Sequence, residues 1–216
     1  MNFFLNIFSV INLLLPVLVY GQLPIDVGRG AVVIRMDYIS LDGDTSIFQN
    51  SRYELAENIV QRRAAGEPLV VTSEGEGISL TAYVAEPEYD IDTKNQTVYV
   101  RKIEGYNGQD TVILKDFSFD IFYRSALMNV DQKTEVDTTS SAVVERFGMQ
   151  FKTGRFRHDQ NELWSDFLYT NEAMPMSSPL TLLVHGFSGF IAELDLLVDN
   201  AGVSNGKIKA IITDIK

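Results

Sequence analysis

Cysteine is absent from the 216-residue chain, which excludes a disulfide framework, a thiolate nucleophile, an iron–sulfur cluster and any cysteine-based zinc site. Histidine is nearly absent too. His158 and His185 are the only two, and neither has a second histidine two or four residues away to form a metal pair on a strand or helix. Positive charge is in deficit: 18 Lys+Arg stand against 29 Asp+Glu, so the net charge is 18 − 29 = −11 with both histidines neutral. No Lys/Arg cluster exceeds a pair, so the basic face that releases phosphate counterions is missing and a duplex nucleic acid is excluded as partner. What is present is apolar and aromatic: 45% hydrophobic residues, with 13 Phe and 9 Tyr, suffice for a packed core and argue against wholesale disorder.

A single long hydrophobic run exists, and it lies at the start. Phe3 to Tyr20 carries no charge, and Val19-Tyr20-Gly21 follows the spacing of a signal-peptidase site. The expectation is a signal peptide over residues 1–21, cleavage before Gln22 and a secreted, extracellular product with no membrane attachment. The competing reading is an uncleaved anchor, because the run approaches the ~20 residues of a spanning helix; Asn6, Asn12 and Pro16 interrupt it. Residues 22–216 then form a single β-rich domain, large enough to bury a core without disulfide staples.

Period-two alternation recurs along that domain, the pattern of half-buried strands in an antiparallel sheet. Val32, Ile34, Met36 and Tyr38 form the first set, followed by Ile78 to Val84, Thr97 to Glu104, and Ile113 through Phe117, Phe119, Ile121 and Tyr123. Val143, Phe147, Met149 and Phe151 share a parity, as do Phe190 to Val198 and Ile208 to Ile212. Asn107-Gly108 and Asn205-Gly206 suit type I′ hairpin turns, where both central residues take positive φ. One segment departs from the pattern. Ser51 with Glu54 fits a capping box, and Leu55, Ile59 and Val60 follow at helical spacing, so a helix is expected over Arg52 to Ala65 with the Arg62-Arg63 pair on its exposed face. Residues 129–141 read as a long polar loop within one domain. The fold class expected is all-β, mainly an antiparallel β-sandwich or jelly-roll-like arrangement, with one short α-helix.

Two stretches imitate enzyme motifs. Leu182-Leu183-Val184-His185-Gly186-Phe187 resembles the strand and His-Gly turn of the oxyanion hole in α/β-hydrolases, but that family needs a G-x-S-x-G elbow and a later histidine, and none follows. Asp199-Asn200-Ala201-Gly202 is similar to the N-N-A-G motif of short-chain dehydrogenases, without their glycine fingerprint or Tyr-x-x-x-Lys. The plain reading of each is a strand ending in a turn. The Gly-x-Trp opening of lipocalins is absent. His158 reads as a surface residue among Arg155, Arg157 and Asp159, and Trp164, between Leu163 and Phe167, reads as a core residue in preference to a carbohydrate platform.

The acidic residues are the most suggestive feature. Glu86, Glu88, Asp90 and Asp92 alternate, so an extended backbone places all four carboxylates on one face, and Asp42-Gly43-Asp44 is a short acidic turn. Hard oxygen ligands on an irregular acidic strand suit calcium, although neither stretch follows the EF-hand loop. The alternative is a solvated face that keeps the protein soluble and blunts an edge strand, with Pro87 typical of edges. Asn95-Gln96-Thr97 is an N-glycosylation acceptor, which places Asn95 at the surface. Together these features lead to the expectation of a secreted, acidic, non-catalytic glycoprotein of the extracellular space or matrix. Its surface carboxylates would engage calcium, a mineral surface or a protein partner. A soluble carrier or recognition module for a lipid or carbohydrate is the first alternative, and a hydrolase with an unfamiliar site the second.

Overall fold

The computed structural model describes residues 26–65, 69–75, 78–84, 87–102, 111–113, 120, 122–123, 134–140, 142–158, 163–200 and 203–216. The expected leader and the Asn107-Gly108 turn lie outside them. The alternating segments form strands: β1 Arg29–Ser40, β2 Thr45–Ala56, β3 Ile59–Ala64, β4 Leu69–Gly75, β5 Ile78–Val84, β6 Glu88–Asp92 and β7 Thr97–Lys102. They continue as β8 Thr111–Ile113, β9 Thr134–Asp137, β10 Val143–Arg146, β11 Met149–His158, β12 Ser165–Thr170, β13 Phe190–Asn200 and β14 Val203–Ile215. Twelve of them make one antiparallel sheet in the order β10-β11-β12-β13-β14-β1-β2-β3-β6-β7-β8, with β9 also on β11, while β4 and β5 pair separately. The fold is therefore all-β and antiparallel, and the sheet is not closed. Its connectivity is that of two meanders joined where the first strand meets the last, β1 against β14, with Ile34 opposite Ile212 and Met36 opposite Ala210.

The register explains the core. Val32 lies opposite Tyr53, Tyr53 opposite Arg62, and Arg62 opposite Tyr89, so one face runs through four strands. That face also carries Ile34, Leu55, Val60, Ile91 and Val98, all buried. On the other side of β1 it continues through Ile212, Ala210 and Leu194 to Phe167 and Phe156. Fully burying such an apolar side chain contributes about 1.5–3 kcal/mol. Among the described residues no helix is long and apolar enough to cross a membrane.

Several expectations are corrected here. The helix over Arg52 to Ala65 is instead the β2–β3 hairpin, closed by the pairing of Ala56 with Ile59. Glu57 in its turn takes a positive φ of 56° without a glycine to signal it. Arg62 is fully buried, not exposed. Val143 and Phe151 do not belong to one strand, because a turn at Phe147-Gly148 separates β10 from β11. Asn205-Gly206 lies inside β14: Asn200 already pairs with Val203, and Gly206 takes φ +136° where it packs against the Ile39 carbonyl. Phe122 and Tyr123 form a helical turn where a strand was expected. Residues 129–141 are not a continuous loop, since they contain β9.

Gly154 shows how tightly the aromatic end of the core is filled. A Cβ there would lie 2.6 Å from Cζ of Phe167, whose ring packs against Phe156, Tyr169 and Phe187 at centroid distances of 6.0, 5.4 and 5.1 Å. These three rings restrict where it can move. Gly154→Ala is therefore expected to cost about 1–3 kcal/mol through overpacking, read as a lower urea midpoint at unchanged slope; a midpoint equal to wild type would show that the cluster repacks freely.

Candidate functional site

The acidic stripe keeps its alternation but not its freedom. Tyr89 and Ile91 of β6 face the core, and Glu88, Asp90 and Asp92 occupy the alternate positions; Glu86 lies outside the described residues. Asp90 sits between two arginines from neighbouring strands. Its Oδ1 accepts from Nη2 of Arg63 at 2.7 Å, and its Oδ2 from Nε of Arg101 at 2.8 Å and from the same guanidinium's Nη2. Burial pushes the Asp90 carboxyl up, but the hydrogen bonds and charges of Arg101 and Arg63 outweigh it and hold the carboxyl below its usual range. Asp92 caps the β6–β7 turn, accepting from the backbone of Lys94 and Asn95 at 3.0 and 2.8 Å and from the Asn95 amide at 2.7 Å. Burial is the largest single influence and raises it, but the bonds from Asn95 and Lys94 and the Lys94 charge together outweigh it, so it too titrates below the ordinary carboxylate range. Asn95 thus stands in a tight surface turn, with its side-chain nitrogen bonded to Asp92.

Asp42 and Asp44 lie exposed in the β1–β2 connection, an element apart from β6. Among the described residues no group of three or more His, Asp or Glu side chains converges to hold a metal ion. The structure therefore does not bring the five described carboxylates, Asp42, Asp44, Glu88, Asp90 and Asp92, into one coordination shell. It distributes the described ones over a turn and a strand whose inner two acids are already bonded.

The enzyme-like stretches find plain explanations. Leu182 and Leu183 end a 3₁₀ turn, Pro179–Leu183, in place of the expected strand, and Ser178 caps it by accepting from the N–H of Leu180. His185 follows in a turn, and burial alone lowers its pKa. Asp199-Asn200 does end a strand, β13. His158 closes β11 opposite Thr134; its side chain lies outside the description.

Three arrangements were not read from the sequence. The first is on the outer face of β11. Trp164 is half-buried, not in the core, and the guanidinium carbons of Arg155 and Arg157 lie 4.8 and 4.9 Å from its ring centre. Those arginines pair in turn with Asp137 and Glu135 of β9. Hydrogen bonds from the Thr139 hydroxyl and N–H, then from Arg155, lower the Asp137 carboxyl to about 2. The alternation of Arg155 and Arg157, matched by that of Glu135 and Asp137, is the sequence signal for this ladder. The second is an open cleft of about 730 Å³ beside residues 171–178. Its lining includes Asp26, Glu172, Ser178 and Thr181, and two of its hydroxyls are committed: Ser178 donates to the Ile191 carbonyl at 2.5 Å and Thr181 to that of Gly189 at 2.8 Å.

The third is deep in the core. Oδ2 of Asp120 accepts from the hydroxyls of Tyr53 and Tyr89 at 2.9 and 2.5 Å, and Oδ1 accepts from the backbone of Phe122 and Tyr123 at 3.0 and 3.1 Å. The Arg62 guanidinium lies 5.4 Å from the Tyr89 ring centre and donates to Ser51 and to the Pro87 carbonyl at 2.6 and 2.8 Å. Tyr89 thus links a buried carboxylate to a buried guanidinium, touching one with its hydroxyl and the other with its ring. With four donors converging on one carboxylate in the packed interior, this cluster fastens Asp120, Phe122 and Tyr123 to β2 and β6.

Compared with known proteins, the chain matches no family model and no curated relative.

Proposed function

We propose that the chain is a secreted, acidic, non-catalytic extracellular or matrix protein that engages calcium or a calcified surface through carboxylates spread over its exterior. The supporting observation is the state of the positive charges. Arg29, Arg35, Arg52, Arg63, Arg101, Arg146, Arg155, Arg157, Lys207, Lys209 and Lys216 are each in an ion pair with Asp or Glu. Even if every Lys and Arg took one carboxylate, 29 − 18 = 11 would remain. The residual field attracts cations, and exposed acids scattered over turns suit adsorption to a lattice of ions better than chelation of a single one.

The test is adsorption to calcium carbonate at fixed ionic strength, comparing the wild type with the triple variant Asp42→Asn, Asp44→Asn, Glu88→Gln. Surface substitutions of this kind change stability by at most about 0.5 kcal/mol, so folding is preserved. Weaker adsorption of the variant is expected. Equal adsorption of the two proteins removes the proposal. A carbohydrate is the second reading, supported by the half-buried Trp164 and the polar cleft; because Trp164 is the chain's only tryptophan, its fluorescence reports directly on oligosaccharide titration. The polar lining of the cleft disfavours a lipid.

A further inference from the structure

The open sheet leaves strand edges, and they are not equally protected. Two strands lie end to end along the outer edge of β11. β9 carries Glu135 and Asp137, each held in an ion pair, the charged guard that natural edge strands use against pairing. β10, Val143-Val144-Glu145-Arg146, has no proline and no lysine; its two charges stand at the turn end, Arg146 being paired with Glu193, while Val143 is 51% and Val144 42% exposed, with Phe147 at 37% beyond them.

The backbone of β10 has a defined polarity. Phe147 and Gly148 both take positive φ, 52° and 71°, which makes the β10–β11 connection a two-residue hairpin turn of type I′ whose flanking pair, Arg146 and Met149, bonds inward. Alternation then turns Val144 inward as well, and the Ala142 carbonyl accepts from Thr153 at 3.3 Å in the same phase. Val143 and Glu145 therefore direct their N–H and C=O groups away from β11. Only residues of this parity can bond to an added strand.

We infer that β10 is the self-association edge of the protein, pairing antiparallel with β10 of a second copy about a two-fold axis that passes between the two Val144 residues. In this register Val143 lies opposite Glu145 of the second copy, twice, and each pair exchanges both backbone hydrogen bonds. Val144 meets its own copy as the closely spaced, non-bonded pair, where β-branched side chains pack best. Charge agrees with the register: Lys152 faces Val143 across β11, so the incoming Glu145 falls in the same row as an ammonium. Shifting by one pair toward the turn would set Glu145 against Glu145. A second copy of this chain is thus the occupant that complements the edge, because the interface is built from one strand used twice.

Sedimentation velocity on the protein released by a secretion host tests this, at ~0.15 M salt, where the screening length of about 8 Å limits the repulsion of two acidic chains. The weight-average mass of the wild type is expected to rise from one chain toward two over roughly 10 µM to 1 mM, the weak association of an interface under about 1,200 Å². Val144→Lys and Val144→Glu are each expected to remain single, and their equimolar mixture to associate at least ~10-fold more tightly than either alone, because the axis places one residue against the other. Val143→Pro provides an independent check, since it removes an N–H that the β10–β11 ladder does not use; at unchanged circular dichroism it should weaken association at least ~10-fold. A wild type that stays single throughout, charged variants that associate like the wild type, a mixture no tighter than its components, or a proline variant that still pairs normally would each overturn the inference.

Discussion

Asp120→Ala is expected to destabilise the protein by at least about 4 kcal/mol, a large part of the 5–15 kcal/mol that holds a domain folded. The carboxylate accepts from the hydroxyls of Tyr53 and Tyr89 and from the backbone of Phe122 and Tyr123, and each buried donor left without a partner costs about 1–3 kcal/mol. Its charge also bears on Arg62, since Tyr89 donates to the carboxylate and carries the guanidinium over its ring. Asp120→Asn separates the two effects. Its shape fits, but an amide nitrogen cannot accept, so part of the donor set is orphaned and about 2–4 kcal/mol should be lost. If the charge contributes, Arg62→Met will cost less in the Asp120→Asn background than in the wild type. Urea midpoints of the five proteins decide the matter: an Asp120→Ala midpoint within error of wild type would show that the cluster does not stabilise the fold, and strictly additive changes in the Asp120→Asn and Arg62→Met cycle would remove the link between Asp120 and Arg62.

The all-β class was legible because alternation survives wherever the core face carries ordinary apolar residues, as at Val32, Ile34 and Met36 of β1. It failed where the core face carries an arginine. Val60 and Arg62 alternate as correctly as any pair in β1, but a reading that places every guanidinium in solvent loses the period, and the spacing of Leu55, Ile59 and Val60 then looks helical. The turn residue concealed the hairpin further, since Glu57 adopts a positive φ that glycine or asparagine ordinarily announces. The acidic stripe shows the opposite limit. Its shared parity was legible, yet its chemistry was decided by Arg63 and Arg101, which are 27 and 11 residues away from Asp90 and reach it only through the β3–β6–β7 pairing. Nothing local distinguishes a solvated carboxylate from one held between two arginines. Asp120 carried no signal at all, being one acid at the end of an aromatic run whose partners are 67 and 31 residues away.

The same buried cluster sets the response to alkali. Tyr53, Tyr89 and Tyr123 are each at most 1% exposed, and burial, followed by the negative charge of Asp120, pushes all three hydroxyls well above the usual tyrosine range; the charge of Arg62 opposes this at Tyr53 and Tyr89 without reversing it. Below pH ~10 these tyrosines are protonated in both folded and unfolded chains, and their pKa difference leaves stability intact. Above it the unfolded chain releases protons that the folded chain retains, so stability falls as pH rises through the unfolded value toward the folded ones. Each such tyrosine contributes a slope of about 1.4 kcal/mol per pH unit, and three together about 4, enough to unfold a domain of ordinary stability within roughly two to three units. The expected result is one cooperative alkaline transition in which absorbance at the phenolate wavelength and loss of circular dichroism coincide. Tyr89→Phe should reduce the slope by about a third, since one proton no longer takes part. Ionisation of Tyr53, Tyr89 and Tyr123 near pH 10 with the sheet still folded would show instead that water reaches the Asp120 cluster, and with it that the cluster does not close the interior.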